Sequence, residues 1–163
     1  MISFFKKFIK NILSLFLWKL DDVKFYYLYK NTENIYIYGK GNIIIGENSY
    51  IGQYSSIQAE KRYHVKIGKN CQISHNVRIY TTTMNAEEFI KGKKIYKYGN
   101  VEIGNNCWIG VNVFINPGVK IGDFVVVGAN SVVTRDIPSY SIAVGCPARV
   151  IKRLENGEIR KYV

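Results

Sequence analysis

Histidine is the side chain best suited to proton transfer at neutral pH, and this chain holds only His64 and His75. An imidazole titrates near neutrality, so it can take a proton from a hydroxyl or amine that attacks an activated acyl group. His75 stands in the stretch ISHNVRIYTTTMN, and His64 stands in EKRYHVK. Either one is a candidate general base, and the structure around each must show which one can act.

The cysteines give no sign of a metal or disulfide site. Cys71, Cys107 and Cys146 are far apart, and no Cys-x-x-Cys or Cys-x-x-His spacing occurs. An odd count without such spacing argues against both a disulfide framework and a structural zinc site. We therefore predict a cytoplasmic protein that requires no metal.

The charge balance points to an anionic partner. The 163 residues include 23 Lys and Arg against 12 Asp and Glu, a formal net charge of +11. Such an excess favours nucleic acid, anionic lipid or a phosphorylated cofactor. Because lipid and cofactor account for the charge equally well, we predict no nucleic-acid partner. A hydrophobic fraction of 47% is typical of a folded domain.

The first residues, MISFFKKFIKNILSLFLWKL, combine lysines with apolar residues at three- and four-residue steps. This pattern predicts an amphipathic, basic helical segment within residues 1–30. Its uncharged run over 11–18 is shorter than the roughly 20 residues that span a bilayer. Peripheral contact with the inner face of the cell membrane, packing on the protein or a sister subunit, and a signal peptide all stay open.

A six-residue repeat of the form aliphatic-Gly-x-x-small-x determines the predicted fold. A period of six suits short strands joined by tight corners, three strands to a coil, stacked so that each coil buries its apolar face on the next. Asn recurs at the corners, where positive φ is needed. We predict an all-β, parallel β-helix solenoid over residues 31–152, a loop insertion at about 85–100 and a basic tail over 153–163. The Ile-Gly pairs of the repeat begin at Ile45, Ile51, Ile67, Ile103, Ile109 and Ile121.

The stretch NNCWIGVNVFINPGVKIGDFVVVGANSVVTRDIPSYSIAVGCPARVIK resembles the sugar and maltose O-acetyltransferase branch of the hexapeptide-repeat acyltransferases. The resemblance covers about residues 35–152. It implies a left-handed β-helix, although parallel crossovers are usually right-handed. It also implies a homotrimer that binds acetyl-CoA in the groove between adjacent solenoids.

The resemblance assigns several residues to the acetyl-CoA site. Trp108 matches an aromatic of the branch, and packing between subunits is the equal alternative for it. Gly110 belongs to a rung whose backbone N–H groups are candidates to hold an oxyanion. Basic side chains suit the three phosphates of CoA, while backbone groups fix its flexible arm. The remaining matches run from the pantetheine arm to the adenine end: Ala129, Thr134, Arg135, Gly145, Pro147, Arg149 and Lys152.

Two branches of the family disagree about the catalytic histidine. A segment like IYTATHP in the sugar branch places it where this chain has Met84, which cannot take a proton. The segment ISHNVRI instead resembles IAHNVRI of the lipid A acyltransferases and the HD segments of amino-sugar N-acetyltransferases. Their histidine takes the third hexapeptide position, as His75 does. We predict that His75 is the base, on a flat face, with Asn76 and Gln53 orienting the imidazole or the acceptor.

These features predict an acetyl-CoA-dependent O-acetyltransferase acting on a sugar hydroxyl, of a bacterial surface polysaccharide or its precursor. An N-acetyltransferase of a nucleotide-linked amino sugar is the main alternative, favoured by the pattern around His75. A non-catalytic β-helix that binds CoA or a partner is favoured by Met84. Metal-dependent carbonic anhydrases share the fold but need three histidine ligands, and this chain has two.

Overall fold

A computed structural model describes residues 34–154. The predicted N-terminal helix within 1–30 lies outside the described residues, and so does the predicted tail beyond residue 154. Seventeen short strands and one helix make up the described part. They are β1 (Tyr36–Gly39), β2 (Asn42–Ile45), β3 (Tyr50–Ile51), β4 (Ser56–Ala59), β5 (His64–Ile67), β6 (Gln72–Ile73), β7 (Arg78–Tyr80), β8 (Thr82–Met84), α1 (Ala86–Ile90), β9 (Tyr96–Tyr98), β10 (Val101–Ile103), β11 (Trp108–Ile109), β12 (Phe114–Ile115), β13 (Lys120–Ile121), β14 (Val126–Val127), β15 (Val132–Val133), β16 (Ser141–Val144) and β17 (Arg149–Arg153).

Successive strands take their places in three parallel sheets in turn, which we call the first, second and third faces. The first face has the order β1-β4-β7-β12-β15, the second β13-β10-β5-β2, and the third β17-β16-β14-β11-β6-β3. Neighbours in each face pair in parallel, except that β17 runs antiparallel to β16 and closes the third face. The predicted left-handed parallel β-helix is confirmed.

The aliphatic position of the repeat forms the core. On the first face Ile57, Ile79 and Ile115 lie in register on successive coils, and each is fully buried. Burial of such a side chain stabilises the fold by about 1.5–3 kcal/mol. At the small position, the buried Ser49 hydroxyl donates to Gly68 O at 2.7 Å and accepts from Cys71 N at 2.8 Å. Its polar group is therefore satisfied inside the solenoid.

Asparagine turns the corners as the repeat predicts. Asn48, Asn70, Asn76, Asn106 and Asn112 have φ between 55° and 60°, in the left-handed region that Asn tolerates better than most residues. Side chains on consecutive coils also join, since the Asn76 amide donates to Asn112 Oδ1 at 2.8 Å. The corners therefore form a hydrogen-bonded ladder along the solenoid axis.

The large insertion leaves the solenoid between β7 of the first face and β10 of the second. It is an antiparallel hairpin of β8 and β9, with Thr82 opposite Tyr98 and Met84 opposite Tyr96. Helix α1 forms its tip, and Asn85 caps that helix by accepting from the amide of Glu87 at 3.1 Å. The departure thus begins near Thr82, earlier than 85, because β8 and β9 satisfy each other's backbone groups.

Replacing one buried aliphatic residue should destabilise the whole solenoid. Ile109 is fully buried on β11, so Ile109→Ala should lower the free energy of unfolding by about 2–5 kcal/mol. Ile90→Ala is the matched control, because that side chain is 85% exposed and its loss should change stability by less than about 0.5 kcal/mol. Urea unfolding at one fixed protein concentration measures both. Equal losses would contradict the assignment of the core.

Candidate active site

His75 lies in the turn that joins the third face to the first. Strand β6 contains only Gln72–Ile73, and the chain turns through Ser74 and His75 to Asn76, whose φ is 57°. The His75 side chain is exposed. The expectation of a flat face was therefore wrong, since two-residue strands leave the third hexapeptide position in the corner.

Backbone hydrogen bonds align His75 with the corresponding corner residues of the neighbouring coils. Asn76 N donates to Gln53 O at 2.9 Å, and Asn112 N donates to His75 O at 3.0 Å. The next coil repeats the pattern, because Asn130 N donates to Val111 O at 2.9 Å. We call the resulting line of four residues the corner column: Gln53, His75, Val111 and Ala129. Gln53 and Val111 thus flank His75 from below and above, as counting the repeat predicts.

Trp108 and Gly110 border the corner column. Trp108, on β11 of the third face, is 53% exposed, and its indole N–H donates to the Ser74 hydroxyl at 3.3 Å, next to His75. A Cβ on Gly110 would lie 2.6 Å from Ala129 N, so this position has room only for glycine. The Gly110 N–H donates to Val127 O at 2.8 Å within the ladder. An oxyanion bound beside Gly110 therefore needs a different hydrogen-bond donor.

The GCPAR segment sits above the corner column. Gly145 follows β16 with φ 102°, and its N–H donates to the Ser131 hydroxyl at 3.0 Å. The peptide bond between Cys146 and Pro147 is cis, and Ala148 N donates to Val132 O at 2.8 Å. These bonds anchor the turn to the coil that carries Ala129.

The candidate phosphate-binding residues are exposed and lie on two edges of the solenoid. Arg149 and Lys152 are exposed on β17, at the end of the third face. Thr134 and Arg135 follow β15 and are exposed at the corner between the first and second faces. One chain therefore brings Arg149, opposite Val144, next to the end of the corner column and Lys152, opposite Ile142, farther along β17, whereas Thr134 and Arg135 lie on another edge.

His64 has a carboxylate partner, which the sequence motifs did not reveal. Its Nε2 lies 3.2 Å from Glu102 Oε1, and Lys120 Nζ lies 3.6 Å from the other oxygen. The hydrogen bond with His64 holds the pKa of the Glu102 carboxyl below its usual range, and the Lys120 charge acts in the same direction. Counting coils could have found the pair, because β5 and β10 are in register on the second face. A carboxylate fixes and orients an imidazole, so His64 stays a candidate base.

Met84 ends β8 and is half-buried in the insertion hairpin, opposite Tyr96. The hairpin joins the first face to the second, so Met84 and His75 lie at different corners. Between residues 34 and 154, no group of three His, Cys, Asp or Glu side chains is arranged to hold a metal ion. No helix in that part of the chain is long and apolar enough to cross a membrane.

Two family models match the coils. Residues 42–80 match the hexapeptide repeat of succinyl-transferase, and residues 100–135 match the bacterial transferase hexapeptide (six repeats). The crystal structure of a maltose O-acetyltransferase from Clostridium difficile 630 is 31% identical, with a TM-score of 0.53 over 91% of this chain and 86% of that one. The chain belongs to the hexapeptide-repeat acyltransferase family.

Two other acyltransferases are similar to most of the chain. The galactoside O-acetyltransferase of Escherichia coli K12 is 40% identical over 129 residues, which is 78% of this chain and 62% of that protein. The N-acyltransferase AntD from Bacillus cereus, in complex with dTDP and 3-hydroxybutyryl-CoA, is 25% identical with a TM-score of 0.66, covering 78% of this chain and 73% of that one. The chain thus spans less than two thirds of the Escherichia coli relative.

The thiols should differ sharply in reactivity. Cys146 is exposed in the GCPAR turn, whereas Cys71 and Cys107 are buried in the core, out of reach of a reagent in solution. The hydrogen bond with Cys71 and burial together raise the pKa of the Cys107 thiol. Native protein should therefore react rapidly with Ellman's reagent at one thiol per chain, and denatured protein at all three. Cys146→Ser is the control and should remove the rapid phase. Rapid reaction of all three thiols in native protein would contradict the packing of the coils.

Proposed function

We propose that this chain is an acetyl-CoA-dependent O-acetyltransferase acting on a sugar hydroxyl. The corner column is the observation that carries the proposal, because it aligns an exposed imidazole, His75, with Ala129, the residue matched to the pantetheine arm. His75 and Ala129 are two coils apart, or about 10 Å at the usual strand spacing. The names of the galactoside and maltose O-acetyltransferases support a sugar hydroxyl as the acceptor.

The donor site extends along the corner column toward β17. Backbone at Gly110, Ala129 and Gly145 lets the pantetheine arm approach closely, because none of these residues has a side chain larger than a methyl group. Pro147 shapes the adenine end, and Trp108 borders the arm beside Ser74. The complex of AntD with 3-hydroxybutyryl-CoA supports an acyl-CoA donor, and the relatives' names support acetyl.

Adjacent chains of a homotrimer would complete that site. The CoA phosphates carry several negative charges, and guanidinium and ammonium groups bind them well. Arg149 lies next to the end of the corner column and Lys152 farther along β17, whereas Thr134 and Arg135 lie on another edge of the same chain. A groove between two solenoids brings both sets to one ligand. This arrangement supports active sites between subunits.

The reaction requires one proton to be moved twice. His75 takes the proton of the acceptor hydroxyl as that oxygen attacks the thioester carbonyl, because a sugar hydroxyl is otherwise protonated at neutral pH. The tetrahedral intermediate collapses, the carbon–sulfur bond breaks, and His75 returns the proton to the CoA thiolate. Gln53 and Asn76 flank the imidazole and orient it or the acceptor. The products are an acetyl ester and free CoA.

The biological setting that we propose is cytoplasmic, at the inner face of the cell membrane. A bacterial surface polysaccharide or its lipid-linked precursor is the acceptor class, and the basic, apolar residues 1–30 provide the peripheral contact. An N-acetyltransferase of a nucleotide-linked amino sugar is the second candidate. The segment around His75 and the dTDP bound to AntD favour it. Amino and hydroxyl acceptors assayed side by side distinguish the two.

Removing the proposed base should abolish turnover. We expect His75→Ala to lower kcat/KM by at least about a hundredfold, the lower range for loss of a general base. Thiol release from acetyl-CoA with a mixed panel of hydroxyl and amino sugars measures this. His64→Ala is the matched control, and it should keep most of the wild-type activity.

Each other outcome has a definite meaning. Loss of turnover in His64→Ala but not in His75→Ala would show that His64, oriented by Glu102, is the general base. An inactive wild type that gains activity in Met84→His would overturn the catalytic proposal in favour of a β-helix that only binds CoA or a partner.

A further inference from the structure

An open cavity of about 570 Å³ lies on the first face, directly beside the corner column. Three coils contribute to it, since β1, β4 and β7 stack in register there. Asn76 lines the cavity and directly follows His75 in the sequence. The cavity and the proposed base therefore lie on the same turn. The lining residues are Tyr36, Tyr54, Ser56, Asn76, Arg78 and Tyr80.

The cavity contains a cation that no carboxylate of residues 34–154 neutralises. Arg78, on β7, is half-buried, and its Nη1 donates to Asn76 Oδ1 at 2.5 Å and to Asn76 O at 3.2 Å. These bonds hold the guanidinium in place. Among residues 34–154, no Asp or Glu oxygen lies within 4.0 Å of its nitrogens. Because a guanidinium has five N–H donors and only Nη1 donates to another residue of the described part of the chain, the Nε and Nη2 donors can bind an anion.

Aromatic rings surround that cation. Tyr36 is 62% exposed and Tyr54 is 58% exposed, which leaves apolar ring surface at the cavity mouth. Tyr80 is fixed edge-on against Phe114, with ring centroids 5.4 Å apart, and its hydroxyl lies 3.3 Å from the Ser56 hydroxyl. Ring faces with hydroxyl tips suit a ligand that has both C–H faces and hydroxyl groups, which is the chemistry of a sugar.

We propose that this cavity is an acceptor subsite for an anionic sugar unit, an inference that rests on the proposed transferase function. The carboxylate or phosphate of that unit pairs with Arg78, and its ring packs against Tyr36 and Tyr54. A sugar held there lies beside Asn76, which leaves a hydroxyl of the same or the adjoining unit within reach of His75. The subsite selects for charge, whereas His75 performs the transfer.

The test compares two acceptors of nearly the same shape that differ in charge. We expect the wild type to favour methyl glucuronide over methyl glucuronamide, its neutral amide, in kcat/KM by about tenfold or more, since a charge-assisted hydrogen bond contributes that much. Arg78→Gln should remove this preference, and Arg78→Lys should restore part of it. Arg62→Gln is the matched control on an exposed arginine outside the cavity, and it should keep the wild-type ratio. Glucose 1-phosphate assayed in parallel tells whether a carboxylate or a phosphate is the preferred anion.

The failure of this inference differs from failure of the proposed function. Turnover of sugars with no preference for charge, or an equal effect of Arg78→Gln on both glycosides, would overturn the subsite alone. If no sugar is acetylated, titration with glucuronate and glucose 1-phosphate, followed by NMR, still tests the cavity. Binding that is lost in Arg78→Gln would support it. Absence of binding, or a change in oligomeric state in Arg78→Gln, would overturn it, and the latter would make this face a contact between chains.

Discussion

The close approach of one coil to the next is the constraint on which the rest of the structure depends. Parallel strands about 4.8 Å apart bring backbone against backbone. A Cβ on Gly52 would lie 2.6 Å from His75 N, and one on Gly110 would lie 2.6 Å from Ala129 N. These glycines fix which residues face each other across the coils. The same spacing that excludes a methyl group therefore sets the distance from His75 to the proposed cofactor site.

That constraint explains why a repeat can predict the fold so well. The core follows from the aliphatic position, because every sixth residue must point inward, and the corner of Asn76 follows from the tolerance of Asn for positive φ. The position of His75 between Gln53 and Val111 also follows from counting residues along the six-residue repeat. The placement of His75 in the corner does not, because it depends on how few residues of each repeat are in a strand.

The features that local motifs do not predict depend on contacts between segments that are far apart in the sequence. The pairing of β8 with β9 depends on where the insertion satisfies its backbone groups, and the repeat has no register there. The contact between His64 and Glu102 joins adjacent coils across the whole insertion, so no local motif indicates it and only the register of β5 with β10 reveals it. The cavity around Arg78 likewise combines three coils. Such sites arise from stacking, and their residues form no motif along the chain.

Acyl transfer at the corner column requires CoA to lie closer to His75 than to His64. A crystal structure of the full chain with bound CoA would measure this. The pantetheine arm should lie along Val111 and Ala129, the adenine end near Arg149, and the thiol next to His75. A thiol that ends beside His64 or at the hairpin near Met84 would contradict this arrangement, because the corner column would then not be the place of acyl transfer.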